Sequence, residues 1–501
     1  TKDQLKGLKE YQVQAIDDAD VVGISMTDQM DVSVMSELSE SQLKALTSKQ
    51  FRVMSTDQLQ AIDPTRIASI DPADIAALDS TQVQSLTTVQ ISQLSAGQIA
   101  AISNTAVQNL STAQMLALSP DQLKAMTAVQ IRFLDTAQWD SLSSEQIQAI
   151  DASDIAGIFN AKLVNMSTQT IQNLSAEQVS SLTNSQVRTL TSSQLNNLTS
   201  DQVGAIATSG IAGMTVLQIA NLSTDVLGAM GTSQIQALAG AAVSSLTTEQ
   251  VSAFSTDQIK ALTSNQVKSL SSAQLNSLIS TQVSAIDASD ISNISSTVFN
   301  KLETSFVNGL NTAQVVALTG SQVKNLTTAQ LYAMTTDQVA AMEVNDVAIL
   351  SSSQISSLSS SSIVALSTLQ TQALSTSAIS SLLTDQVSAL STDQIKSLSS
   401  AQVKALGASQ LNKLTSDQVQ AIEVADLSSI STTVFQGLTS TIVSEFTSTQ
   451  IQALTVAQVK VLPLEREHRA AVFVHQLGRQ MGVCGHAAVV HDVRKKQQGV
   501  I

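Results

Sequence analysis

Leu262-Thr263-Ser264-Asn265-Gln266-Val267-Lys268-Ser269 is one copy of a unit that fills almost the whole chain. Stepping by eight from Leu38 gives Leu46, Met54, Ile62, Ile70, Leu78 and onward without a slip to Leu454 and Leu462. Every one of those positions is Leu, Ile, Met or Phe, which makes 53 consecutive octads. Leu8, Ile16 and Ile24 share an earlier phase, displaced by two residues somewhere between Ile24 and Leu38. A fixed period of this kind is the sequence signature of a repeat architecture.

The unit reads Leu-[Ser/Thr]-x-x-Gln-[Val/Ile]-x-Ala. A Ser or Thr followed three residues later by Gln is a capping box, in which the hydroxyl accepts from the N3 amide and the Gln reaches back to the N-cap amide. The preceding Leu and the following Val or Ile stand at N′ and N4 and form a hydrophobic staple. Each octad therefore carries a complete helix start, and the next begins before a helix can run beyond about two turns. One continuous helix fails on geometry. Eight residues at about 100° each leave the Leu stripe drifting by about 80° per octad. In a strand, Leu and Val would face opposite sides. The fold expected is an all-α solenoid of short two-turn helices, one per octad, with a β-solenoid that turns inside each octad as the alternative. One Leu and one Val cannot offset the ordering of eight backbones, so the units must stack to fold.

Composition agrees. Apolar residues make up 43% of the chain but aromatics only 2%, so burial comes from many small equal contributions. The formal charge of −15 has two parts. From Leu464 onward six Lys/Arg stand against Glu465, Glu467 and Asp492, and subtracting that +3 from −15 leaves −18 for the rest. An acidic body repels phosphate, which excludes nucleic acid as a partner of the main surface. Cys484 is the single cysteine, so there is no disulfide framework. No stretch reaches the roughly 20 apolar residues of a membrane span. Thr1-Lys2-Asp3-Gln4-Leu5 already sits inside a repeat, so the sequence reads as a segment of a longer protein whose targeting signals lie elsewhere. Three regions follow: 1–37 with the phase slip, 38–462 as the octad array, and 463–501 as a basic, His-containing tail that begins at Pro463.

A longer period overlies the short one. Acids replace the cap and the Gln in Asp17/Asp20, Asp71/Asp74, Asp151/Asp154, Asp287/Asp290, Glu343/Asp346 and Glu423/Asp426. Their anchors Ile150, Ile286 and Ile422 are 136 residues apart, or 17 octads, as are Ile70, Ile206 and Met342. Duplication of a multi-octad block accounts for this.

The acid pairs offer two oxygens where a hard cation wants six to eight, whereas Asp is a good N-cap and an acid suits the first helical turn. They are expected to be caps. His468, His475, His486 and His491 all lie in the tail, there is no Gly-x-Ser-x-Gly elbow, and the repeat serines are caps, so no catalytic residue is expected. Cys484-Gly485-His486 with His491 follows no zinc spacing. No cofactor-binding or metal residue is expected either.

Leu198-Thr199-Ser200-Asp201-Gln202-Val203 locally resembles the opening of the DNA-reading repeats of TAL effectors. Those repeats are about four octads long, with a second helix and a base-reading loop that this sequence lacks. Over nearly the whole chain the repetition resembles that of very long octapeptide-repeat surface and adhesin-like proteins of bacteria. The resemblance implies a secreted or cell-surface structural protein, an extended spacer or fibre element that is not an enzyme. The alternative is a superhelical binding module that grips an extended protein or a cell-surface glycan. Self-association is compatible with either.

Overall fold

A computed structural model describes residues 1–463. The described residues fall into two compact units, Thr1–Phe254 and one that begins at Ser255. In both, the described residues fold into α-helices of four to six residues, with one 3-10 helix at Ile67–Ser69 and no strand. The α-solenoid reading holds and the β alternative falls. The helices are shorter than two turns for a local reason. Where a helix runs up to its anchor, the anchor leaves it in extended conformation, as Leu118 does at φ −66°, ψ 134°. The N-cap that follows is also extended, as in Ser119 at φ −72°, ψ 158°. Two extended residues in a row turn the chain through a corner at the end of every octad.

Helices pack on helices three octads away. Ser80–Ser85 lies against Asn104–Gln108, and Asn184–Thr189 against Thr208–Gly213. Between them run the anchors and the Val/Ile positions, which make up the core: Leu86, Leu118, Val83 and Ile91 are all buried. The staple is thus shared between successive turns of the coil, as the energetics of a short unit require.

The phase slip lies at residues 25–30. Ile24 is followed by the anchor Met30 after six residues rather than eight. Met26 and Met30 are both buried there, and a turn replaces the helix. Ser25 keeps a capping contact, its amide donating to Gln29 Oε1 at 3.0 Å, one residue further along than in a regular octad.

Candidate functional site

The residue that organises every regular octad is the buried Gln. In helix Pro120–Ala125, the Ser119 amide donates to Gln122 Oε1 at 2.8 Å and the Gln122 amide donates to Ser119 Oγ at 3.2 Å, which is the expected capping box. The other end of the same side chain does something else. Gln122 Nε2 donates to the carbonyls of Ile91 at 2.8 Å and Leu94 at 2.7 Å, 31 and 28 residues earlier. Gln82 reaches Phe51 and Met54 in the same way, and Gln314 reaches Val283 and Ile286. One carboxamide thus satisfies an orphan N–H at its own helix start and two orphan carbonyls at a helix end four octads back.

Departures from Gln keep to this logic. Lys162 occupies the place and donates from Nζ to Arg132 O at 2.8 Å and Leu134 O at 2.6 Å. Burial depresses its pKa, an effect partly offset by Asp135. Arg132 stacks over the Phe159 ring with its guanidinium carbon 4.1 Å from the centroid. Arg66 likewise donates to Leu38 O at 2.9 Å. In some octads without Gln, the N-cap amide that has lost its Oε1 acceptor finds another in the adjacent turn. Ser167 N donates to Asp140 at 3.0 Å, Glu303 N to Asn276 at 2.8 Å and Thr439 N to Asn412 at 2.9 Å. Asp140, Asn276 and Asn412 are spaced by 136 residues, so the long period is a structural repeat as well as a sequence one.

The acid pairs need a partial correction. Asp17 and Asp71 cap, accepting from the amides of Ala19 and Ala73 at 3.0 and 2.9 Å. Asp151, Asp287, Glu343 and Glu423 make no side-chain cap bond. The second acid takes the Gln place and, except for half-buried Asp154 and exposed Asp20, is buried. Being shorter and lacking an amide, it does not form the clasp. Ser48 Oγ donates to Asp74 at 2.6 Å, and Ser264 and Ser400 donate to Asp290 and Asp426. The residues matching these serines, 26 before Asp154 and Asp346, are Ala128 and Gly320, which have no hydroxyl. Burial pushes up the pKa of Asp74, Asp154 and Asp346; the Ser48 bond opposes this at Asp74, while Asp151 and Glu343 add to it beside the other two. Helices at these acids are short, four residues at Ala152–Ile155 and Val424–Leu427.

Among the described residues, no three His, Cys, Asp or Glu side chains gather as metal ligands, and no helix is long and apolar enough to cross a membrane. An open polar groove of about 220 Å³ in the first unit is lined by Gln172, Asn196, Asn197, Ser200 and Asp225, among others. His468, His475, His486, His491 and Cys484 lie outside the described residues.

Three stretches, residues 67–104, 339–376 and 372–400, match the model of the ALTTAQ repeat. The unit is similar to that repeat. The letters of the name fit the octad register, five of them standing in order at Leu326-Thr327-Thr328-Ala329-Gln330 as anchor, N-cap, first turn and clasp. No curated protein matches the chain.

The clasp was missed by sequence reasoning, though a signal for it exists. A capping box accepts Glu as readily as Gln, yet the fifth place is overwhelmingly Gln and its charged replacements include Lys and Arg. The donors Gln, Lys162 and Arg66 at that place hint at donation, and the Asp octads are the ones that forgo it.

Proposed function

We propose that this repeat protein is a non-enzymatic structural element, an extended spacer displayed at the cell surface or outside the cell. The observation that carries the reading is the uniformity of the clasp. Within each unit, octad after octad spends its polar side chains on holding the adjacent turns together. The large exposed apolar side chains favour the same reading. Ile279, Leu217 and Tyr332 fall at the second, fourth and seventh places of their octads, so they build no repeated stripe for a partner to follow. Small-angle scattering tests the reading. Adding one 17-octad block should lengthen the particle in proportion, and antibody to the array should label intact cells. An added block that leaves the maximum dimension unchanged, or labelling only after cells are broken, would overturn it.

A further inference from the structure

Seven asparagines sit at the eighth place of an octad, and the register turns each into the same triplet. Asn109-Leu110-Ser111, Asn165-Met166-Ser167, Asn173-Leu174-Ser175, Asn197-Leu198-Thr199, Asn221-Leu222-Ser223, Asn293-Ile294-Ser295 and Asn325-Leu326-Thr327 are all the Asn-x-Ser/Thr sequences in the chain. Such a triplet on a surface is an acceptor for N-linked sugar.

The fold places them consistently. Each lies at the end of a short helix, just before the extended corner, and all but the half-buried Asn173 are exposed. In the six exposed cases Nδ2 donates to the carbonyl four residues back, at 2.7 Å from Asn109 to Thr105 and 2.8 Å from Asn197 to Ser193, for example. That bond uses one of the two Nδ2 hydrogens. A sugar on the other leaves the helix end as it is. Asn173 differs, accepting from Gln169 Nε2 at 2.9 Å. The corners also align. Asn196, beside Asn197, donates to Asn221 O at 2.9 Å and accepts from Ser223 N at 2.8 Å, so two triplets 24 residues apart lie on adjacent turns. The open polar groove adjoins Asn197 at this point.

We infer that the exposed eighth-place asparagines are N-glycosylation acceptors, and that sugars attached there project from the corners of the coil. The step joins sugar C1 to Nδ2 and breaks the bond from C1 to the phosphate oxygen of a diphosphate-activated sugar donor. One Nδ2 proton is lost to a base of the transferase. The inference goes beyond the spacer reading and does not depend on it, because bare asparagines would leave the length measurement untouched.

The test is peptide mass spectrometry of the full chain recovered from its own cells. Sugar is expected on peptides carrying Asn109, Asn197 and Asn221. A single hexose per site identifies a nucleotide-sugar donor, and a preassembled oligosaccharide a lipid-linked one. Ser111→Asp supplies the control, since Asp is as good an N-cap as Ser but destroys the triplet, and Asp79 and Asp135 already cap this way. It should leave the fold intact and Asn109 bare, whereas Ser111→Thr should keep the sugar. Bare asparagine at all seven sites in the native chain, or sugar persisting on Asn109 in Ser111→Asp, overturns the inference.

Discussion

Gln82 Nε2 lies 2.9 Å from the carbonyl oxygen of Met54, 28 residues earlier in the chain. Met54 is an anchor whose side chain is buried in the core. Its carbonyl would otherwise be one of the unpaired acceptors at a helix end. The same pairing recurs within each unit, where it ties one turn of the coil to the one before. This gives the stability of the array a polar component as regular as its apolar one.

The two ends of the Gln can be separated by mutation. Gln122→Glu keeps an acceptor for the Ser119 amide but places a buried charge against the carbonyls of Ile91 and Leu94. We expect a loss of more than about 2 kcal/mol, because a buried group is left unpaired and charged. Ser119→Ala removes only the cap and should cost about 1 kcal/mol. Native-state amide exchange across residues 86–126 measures both. Equal effects would show that the clasp contributes nothing beyond capping.

Lys162 allows the converse test. Lys162→Met strands Arg132 O and Leu134 O and should destabilise the surrounding octads by about 1–3 kcal/mol, while Lys162→Gln restores the ordinary clasp and should be nearly neutral. The buried Trp139 indole is a local fluorescence probe of the same region.

Asp154 and Asp346 make stability depend on pH. Their folded pKa values are raised, chiefly by burial, with Asp151 and Glu343 adding to it. The fold therefore holds the proton more tightly than the unfolded chain does. Their contribution is whole below the ordinary Asp range and is lost as pH rises through the raised folded values. Asp154→Gln and Asp346→Gln should remove that dependence and stabilise the neutral-pH protein. Melting curves followed between acid and neutral pH check this, and a double variant with unchanged pH dependence would refute it.

Calcium should do little. Asp290 and Asp426 are buried and already accept from Ser264 and Ser400, and two carboxylates fall short of a Ca²⁺ shell. Millimolar Ca²⁺ is expected to leave the melting midpoint unmoved. A large rise that Asp287→Asn with Asp290→Asn abolishes would contradict the assignment.

Leu358→Asp buries an unpaired charge in the core and should cost several kcal/mol. In an array of neighbour contacts the damage stays local. Limited proteolysis should cut near residue 358 while octads around Trp139 stay protected. Loss of protection along the entire chain would mean the array folds as one cooperative block.

Much of this was legible in the sequence because each element is written locally. The Ser or Thr at an N-cap, the Gln three residues on and the Leu before them need no distant partner to be recognised. The long period at Ile150, Ile286 and Ile422 was equally plain. What stayed hidden depends on which turn lies above which. The reach of Gln122 to Leu94, the Ser48 hydroxyl on Asp74 and the rescue of Ser167 by Asp140 span 26 to 28 residues. No octad considered alone states the number of octads per turn of the coil. Asp17 and Asp71 cap as expected, but Asp74, Asp290, Asp346 and Asp426 were misread for the same reason, since a carboxylate in a first helical turn is ordinarily solvated and here each is buried.

The constant reach of the clasp bears on how such a gene changes. Copying errors that add or delete whole units leave every Gln facing a carbonyl of the same kind, so the product needs no compensating substitution. An error of any other length must be absorbed as residues 25–30 absorb theirs, by giving up a helix. Selection can therefore tune the length of this protein through replication slippage alone, in steps of one octad, and the 17-octad duplication is a record of one large step.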